Sequence, residues 1–335
     1  MNSHQSTQAF FARAAGFIAM FLTVTLLMTA NASADTKRNF ITIGSGQPGG
    51  IYYPIAQSLC RLLNDEMGKQ GYYCSAEPTA GSLYNLDALA RGEIDFALVQ
   101  ADSHYQAVKG LGEWEGRPLT TLRSVMSLYP ETFTILARPD SGVIGVDSLR
   151  GKRINIGSPG SGTRDTWNEM EVALGLQRSD FSLVSELRQD AAAEMLCSNE
   201  LDVSVQMIGH PSETIQSQVK ACELIIVPAT GSKIDQLVID RPYFVPSIIP
   251  GEVYGLPSDV LSFGGKATLV TTATVSDVDV ESLTKAVIAE LDNLRSSQAA
   301  LSGLRIEDMI RHSLTAPLHD GAKRAYQELG LTTGQ

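Results

Sequence analysis

Residues 40–53 read Phe-Ile-Thr-Ile-Gly-Ser-Gly-Gln-Pro-Gly-Gly-Ile-Tyr-Tyr, a short apolar strand breaking into a glycine-rich turn and then a helix. The pattern recurs in the second half. Lys152 to Ile156 reads as a strand, Gly157-Ser158-Pro159-Gly160-Ser161-Gly162 as a turn, and Thr163 to Leu174 as a helix. Two such units predict parallel α/β architecture. Backbone N–H groups at the turns and helix starts form a ready-made anion site, at the strand ends where open parallel sheets bind ligands.

The rest of the chain fills in this frame. The spacing predicts a helix over Ile51 to Met67, a strand over Tyr72 to Ala76, and a turn at Pro78 to Ser82. Ser82 reads as the N-cap of a helix over Leu83 to Ala90. Gly92 stops that helix, Ile94 to Val99 reads as a buried strand, and Gln100-Ala101-Asp102-Ser103 opens another helix. Leu122 to Ala137 reads as two extended segments meeting around Tyr129-Pro130, a crossing between lobes. A helix with its strand follows at Ala191 to Met207, then a strand at Leu224 to Val227. Pro242, Pro246 and Pro250 break the pattern before Lys266 to Val275 returns as a strand. Val280 to Ser296 and a last stretch to Leu329 read as helical. The expected result is two sheets facing one another: residues 35–128 plus 275–335 as lobe 1, and 129–274 as lobe 2.

Arg13, the apolar run Ala14 to Ala30, and the tandem Ala30-Asn31-Ala32 and Ala32-Ser33-Ala34 patterns read as a secretory signal peptide over residues 1–34, cleaved after Ala34. An uncleaved membrane anchor is the other reading. Export places the mature chain in the periplasm. Apolar residues at 43% and charged residues at 19% supply a core. A net charge of −11 argues against nucleic acid. Cys60, Cys74, Cys197 and Cys222 show no metal-ligand spacing, so neither a metal nor a cofactor is expected. In an oxidising compartment they allow three disulfide connectivities. Pairing within each half, Cys60–Cys74 and Cys197–Cys222, is favoured, each tying a helix to the strand after it.

Several chemistries are weighed against these motifs. Gly44, Gly46 and Gly49 satisfy G-x-G-x-x-G, but the acid that holds a ribose is misplaced: Asp65 and Glu66 fall at a helix end, and Glu77 comes late. Gly157 and Gly162 have P-loop spacing, yet Thr163 and Arg164 stand where Lys and Ser/Thr are required. No G-x-S-x-G occurs, and no His converges with a nucleophile. What survives is anion binding by the turns and by the hydroxyls of Ser158, Ser161 and Thr163. Ser161 or Thr163 alternatively caps the helix. Arg164 is the nearest candidate carboxylate clamp, and His210, after a strand, could reach the cleft. Tyr52 and Tyr53 cannot both face it.

The residues resemble the TAXI-type solute receptors of TRAP transporters. The likeness rests on Ile43-Gly44-Ser45-Gly46 with Gly49-Gly50-Ile51-Tyr52-Tyr53-Pro54, Thr79-Ala80-Gly81-Ser82, and Gly92-Glu93-Ile94-Asp95-Phe96-Ala97 with Val99-Gln100. It continues through Leu149-Arg150-Gly151-Lys152-Arg153 and Gly160-Ser161-Gly162-Thr163. The resemblance implies an α/β, two-lobe periplasmic binding protein fold (type II-like), each lobe a mostly parallel sheet with flanking helices. It implies a monomer without catalysis that closes on a small anionic solute, a glutamate-like amino acid or a 2-oxoacid or dicarboxylate. The solute passes to ion-gradient-driven TRAP membrane permease subunits. Contacts carried over are Ser45, Gly46, Gly49, Gly50 and Tyr52 in the first turn, then Thr79, Ser82 and Gln100, and in the second turn Ser158, Gly160, Ser161 and Thr163. His210 departs from the small or apolar residue expected after Gly209. An exported transferase or hydrolase of small acids, and an ABC- or sensor-coupled binding protein, are the alternatives.

Overall fold

The computed structural model describes residues 39–333; the signal-peptide reading of residues 1–34 lies outside the described residues. The first part of the chain runs β1 (Asn39–Gly44), α1 (Tyr52–Met67), β2 (Tyr72–Glu77), α2 (Ser82–Arg91), β3 (Phe96–Gln100) and α3 (Ala101–Lys109). A long strand, β4 (Leu122–Ala137), leads to β5 (Arg153–Asn155), α4 (Gly162–Leu174), β6 (Leu183–Ser185), α5 (Gln189–Cys197) and β7 (Val203–Gly209). Next come α6 (Glu213–Cys222), β8 (Ile225–Val227), α7 (Ser232–Asp240), β9 (Val245–Ile249) and a second long strand, β10 (Val260–Thr272). Helices α8 (Asp277–Ala289), α9 (Leu291–Ser297), α10 (Ile306–Met309) and α11 (Asp320–Glu328) close the chain.

β1 pairs in parallel with β2 and β3, and β5 in parallel with β6 and β7. β3 is buried along its whole length, so its run Phe-Ala-Leu-Val reads as continuously apolar rather than alternating. Helix α1 buries Ile55, Leu59, Leu63 and Met67 on one stripe, the spacing of an amphipathic helix against a sheet.

Between the two parallel sets run β4 and β10, antiparallel to each other. The ten strands form one hydrogen-bonded sheet in the order β2-β1-β3-β10-β4-β7-β5-β6, with β8 on β4 and β9 on β10. The expectation of two separate sheets is therefore corrected. β4 is also one strand of 16 residues that carries Pro130 within it, rather than two segments meeting there. β10 starts at Val260, earlier than the pattern predicts, and pairs with β9, which keeps Pro246 on its register opposite Phe263. A strand at the edge of a ladder tolerates the missing N–H of proline.

Apolar side chains gather in two main regions. One is built around Ile43, Leu59, Phe96 and Tyr326, the other around Phe133, Trp167, Val205 and Phe263. Each draws residues from β4 and β10. Cys60 pairs with Cys74 and Cys197 with Cys222, with Cα atoms 5.0 and 5.1 Å apart. The first bridge ties α1 to β2. The second joins the ends of α5 and α6, a helix-to-helix tie rather than the helix-to-strand one expected.

Candidate ligand-binding cleft

The first glycine turn leaves the carboxyl end of β1 and is pinned from behind. Asn85 Nδ2, fully buried, donates to the carbonyls of Ser45 and Leu98 at 2.7 and 2.8 Å. Thr79 Oγ1 donates to the same Ser45 carbonyl at 2.9 Å, and Ser45 Oγ to the Glu77 carbonyl at 2.7 Å. Ser45 and Thr79 are thus spent on the shape of the turn. The second turn leaves β5. Ser161 is the N-cap of α4, its hydroxyl accepting from the Arg164 N–H at 3.2 Å. Thr163 Oγ1 accepts from the Met207 N–H at 3.0 Å, locking α4 to β7. Ser82, expected as an N-cap, is instead the first residue of α2. Gly81, at φ +121°, holds the cap position, and Ser82 Oγ accepts from the Gln100 N–H at 3.0 Å.

The two turns face one another and touch. Gln47 Nε2 donates to Ser158 Oγ at 2.8 Å, while Gln47 Oε1 accepts from the Gln189 N–H at 3.0 Å. Tyr84 N–H donates to the Gly160 carbonyl at 3.2 Å. At Gly162 a Cβ would collide with the Gln100 amide and come within 2.7 Å of Ser82 Oγ, so α2, β3 and α4 approach here only because that residue is glycine.

A cavity of about 70 Å³ remains between the turns, room for a handful of water-sized groups. Into its lining project the start of α1 (Tyr52), the start of α2 (Ser82), the start of α4 (Gly162, Thr163) and the first residue of α5 (Gln189). The first N–H groups of a helix have no acceptor within it and carry its positive dipole end, so four such ends surround one small space, that of α5 with its first N–H already given to Gln47 Oε1. Tyr129, also in the lining, buries its hydroxyl with no protein partner.

Among the described residues no Lys or Arg lines the cavity, and one carboxyl, Glu131, does. Glu131 is 3% exposed and receives the Tyr52 hydroxyl on Oε2 at 2.8 Å. Burial pushes its carboxyl up to about 8, against the lowering effect of the Tyr52 bond and with the Asp102 charge adding to the rise. Behind the cavity Asp102 and Asp165 are also buried. Thr166 Oγ1 donates to Asp102 at 2.5 Å, and Ser103 Oγ to Asp165 at 2.7 Å. Burial lifts both carboxyls, that of Asp165 to about 7, and the neighbouring Asp165 charge lifts Asp102 further.

Of the residues singled out from sequence, Gly46, Gly50, Tyr52, Ser82, Gln100, Ser158, Ser161 and Thr163 line this cavity. Gly49 lies outside it, its carbonyl accepting from Thr214 Oγ1 at 2.7 Å. Gly160 and Arg164 belong to a separate outer depression. There Arg164 binds Asn168 Oδ1 at 3.0 Å and Glu186 Oε1 at 2.5 Å, a charge pair that turns the guanidinium away from the cleft. His210 is held by Thr134 at 2.9 Å and the Tyr254 hydroxyl at 2.5 Å, and burial pushes its imidazole down to about 4. Sequence reasoning passed over Tyr129, Glu131 and Gln189. The first two sit on the strand read only as a crossing, where an acid in an apolar run was the available signal.

A model of the NMT1-like family matches residues 43–330. Among solved structures, a protein from Bordetella bronchiseptica RB50 superposes with a TM-score of 0.54 at 16% identity, covering 88% of this chain and 99% of that one. A putative L-cystine ABC transporter protein from Listeria monocytogenes gives 0.51 at 14% identity, over 81% and 99%. An ancestral arginine-binding protein bound to arginine gives 0.50 at 12% identity, over 78% and 98%. At such identities the likeness establishes the fold: a mixed α/β protein with the architecture of type II periplasmic binding proteins.

Proposed function

Because the chain belongs to the NMT1-like family, we propose that it is an extracytoplasmic solute-binding receptor that holds one small anion in the cleft and hands it to a membrane transporter. The finer reading is a TAXI-type receptor serving TRAP permease subunits, exported to the periplasm after loss of residues 1–34, monomeric and without catalysis. Residues 35–128 with 275–335 would form one lobe and 129–274 the other, hinged on β4 and β10. Closing the lobes on the solute shifts the open–closed population, and the closed form is what the transporter recognises.

The observation that carries this reading is the convergence of four helix starts on a cavity without a basic side chain. Amide donors of this kind suit a carboxylate. A glutamate-like amino acid, a 2-oxoacid or a dicarboxylate is the proposed class. Thermal-shift and calorimetric titration with succinate, 2-oxoglutarate and L-glutamate tests it: saturable binding by at least one is expected. Silence across such acids, with binding of a cationic or uncharged solute, contradicts it.

The name of the Listeria monocytogenes neighbour favours a second reading that differs only in partner, an ABC transporter in place of a TRAP permease. Capture of the permease by the loaded receptor in membranes of the source cell separates the two.

A further inference from the structure

Resting on the anion-receptor reading, one side chain in the cleft is unexplained: a carboxyl where a carboxylate is to bind. Glu131 lines the cavity, is almost fully buried, and faces no Lys or Arg across it. Tyr52 occupies Oε2, and among the described residues Oε1 takes no protein hydrogen bond. An ionised Glu131 beside a solute carboxylate would place two like charges in a desolvated space with no cation between them, an unfavourable arrangement. A neutral Glu131 turns the same group into a donor.

We propose that Glu131 is the specificity-determining acid of the cleft: it carries a proton in the loaded receptor and donates it in a hydrogen bond to the solute carboxylate, so that loading at a pH where the empty cleft holds it ionised takes up a proton from solvent.

The surroundings support this from each side. From α1 comes Tyr52, whose phenol burial holds well above its usual range, so it stays a neutral donor. From its own strand comes Tyr129, buried and likewise held neutral. At the start of α3 stands Asp102, a buried carboxyl whose charge raises that of Glu131 rather than offsetting it. Beyond the end of β7, His210 is held neutral by burial. On β10, Lys266 pairs in register with Pro130, and alternation along a strand sends it to the face opposite Glu131. Among the described residues lining the cavity, nothing cationic thus faces the carboxyl. Burial in the cleft pushes its carboxyl up to about 8; a bound anion raises it further.

Calorimetry of succinate and 2-oxoglutarate, neither of which titrates between pH 6.5 and 9, tests this in pairs of buffers with different ionisation heats. About one proton should be taken up on binding at pH 9 and almost none at pH 6.5. Affinity should fall close to tenfold per pH unit above about pH 8. Glu131→Gln keeps a neutral donor, so it should bind at pH 6.5 within about threefold of wild type, with no uptake and a flat pH profile. Binding by wild type without proton uptake at pH 9 overturns the proposal. So does affinity that rises with pH and vanishes in Glu131→Gln, since an ionised Glu131 would then be reading a cation. Failure of both acids and of L-glutamate to bind at either pH contradicts the receptor reading itself, and the proton falls with it.

Discussion

Gln47 Nε2 and Ser158 Oγ, one from each glycine turn, are joined across the cleft by a 2.8 Å hydrogen bond. The same amide accepts from the Gln189 N–H through Oε1. One side chain of the first turn therefore holds two elements of the opposite wall.

Gln47→Ala removes both bonds, each worth about 0.5–1.5 kcal/mol. Solute affinity should drop about tenfold in calorimetric titration, while the urea midpoint of the solute-free protein stays near wild type. An unchanged affinity would show that the latch is not part of closure.

The glycine turns themselves were legible, because strand, glycine cluster and helix follow in an order that few folds allow. Ser161 or Thr163 as a cap follows from local spacing, and the structure has Ser161; that spacing left open which of Tyr52 and Tyr53 meets the cleft, and it is Tyr52 that lines the cavity. Less visible were features that depend on distant pairing. Pro130 reads as a break, yet β4 runs through it because β10 and β7 hold both its edges. Pro246 hid β9 in the same way. Arg164 was suggested by its place at a helix start, but Glu186, remote in sequence, decides where the guanidinium goes. Glu131 lay unnoticed because an acid in a crossing strand acquires meaning only when the cavity closes around it.

Gly162→Ala places a methyl group against Gln100 and Ser82, where α2, β3 and α4 meet. The variant should fold, since α4 accepts alanine readily, but its thermal shift with a saturating acid should shrink to less than half that of wild type. A full-size shift would mean that the contact yields without cost.

Cys60 and Cys74 are 14 residues apart, so their bridge restricts a short loop of the unfolded chain. Replacing both by serine should cost about 3 kcal/mol, read from urea unfolding, with solute affinity preserved because neither lines the cavity. A loss under about 1 kcal/mol would contradict the loop argument.

His210 titrates at about 4 in the folded protein, against 6.5 in the unfolded chain. The unfolded state therefore binds more protons between those values, and this residue's contribution to stability falls as pH drops from 6.5 toward 4. Relative to wild type, His210→Gln should gain about 2 kcal/mol between pH 7 and pH 4.5. A difference that stays constant with pH would show that the imidazole is already free to charge.

The central claim is that amides at converging helix starts grip a carboxylate. A crystal structure of the protein with an acid retained through purification tests it most directly. Carboxylate oxygens are expected within hydrogen-bond distance of the Gly162 and Thr163 N–H groups, with Tyr129 and Glu131 on the same molecule. A solute lodged elsewhere, or a cation seated on Glu131, would contradict it.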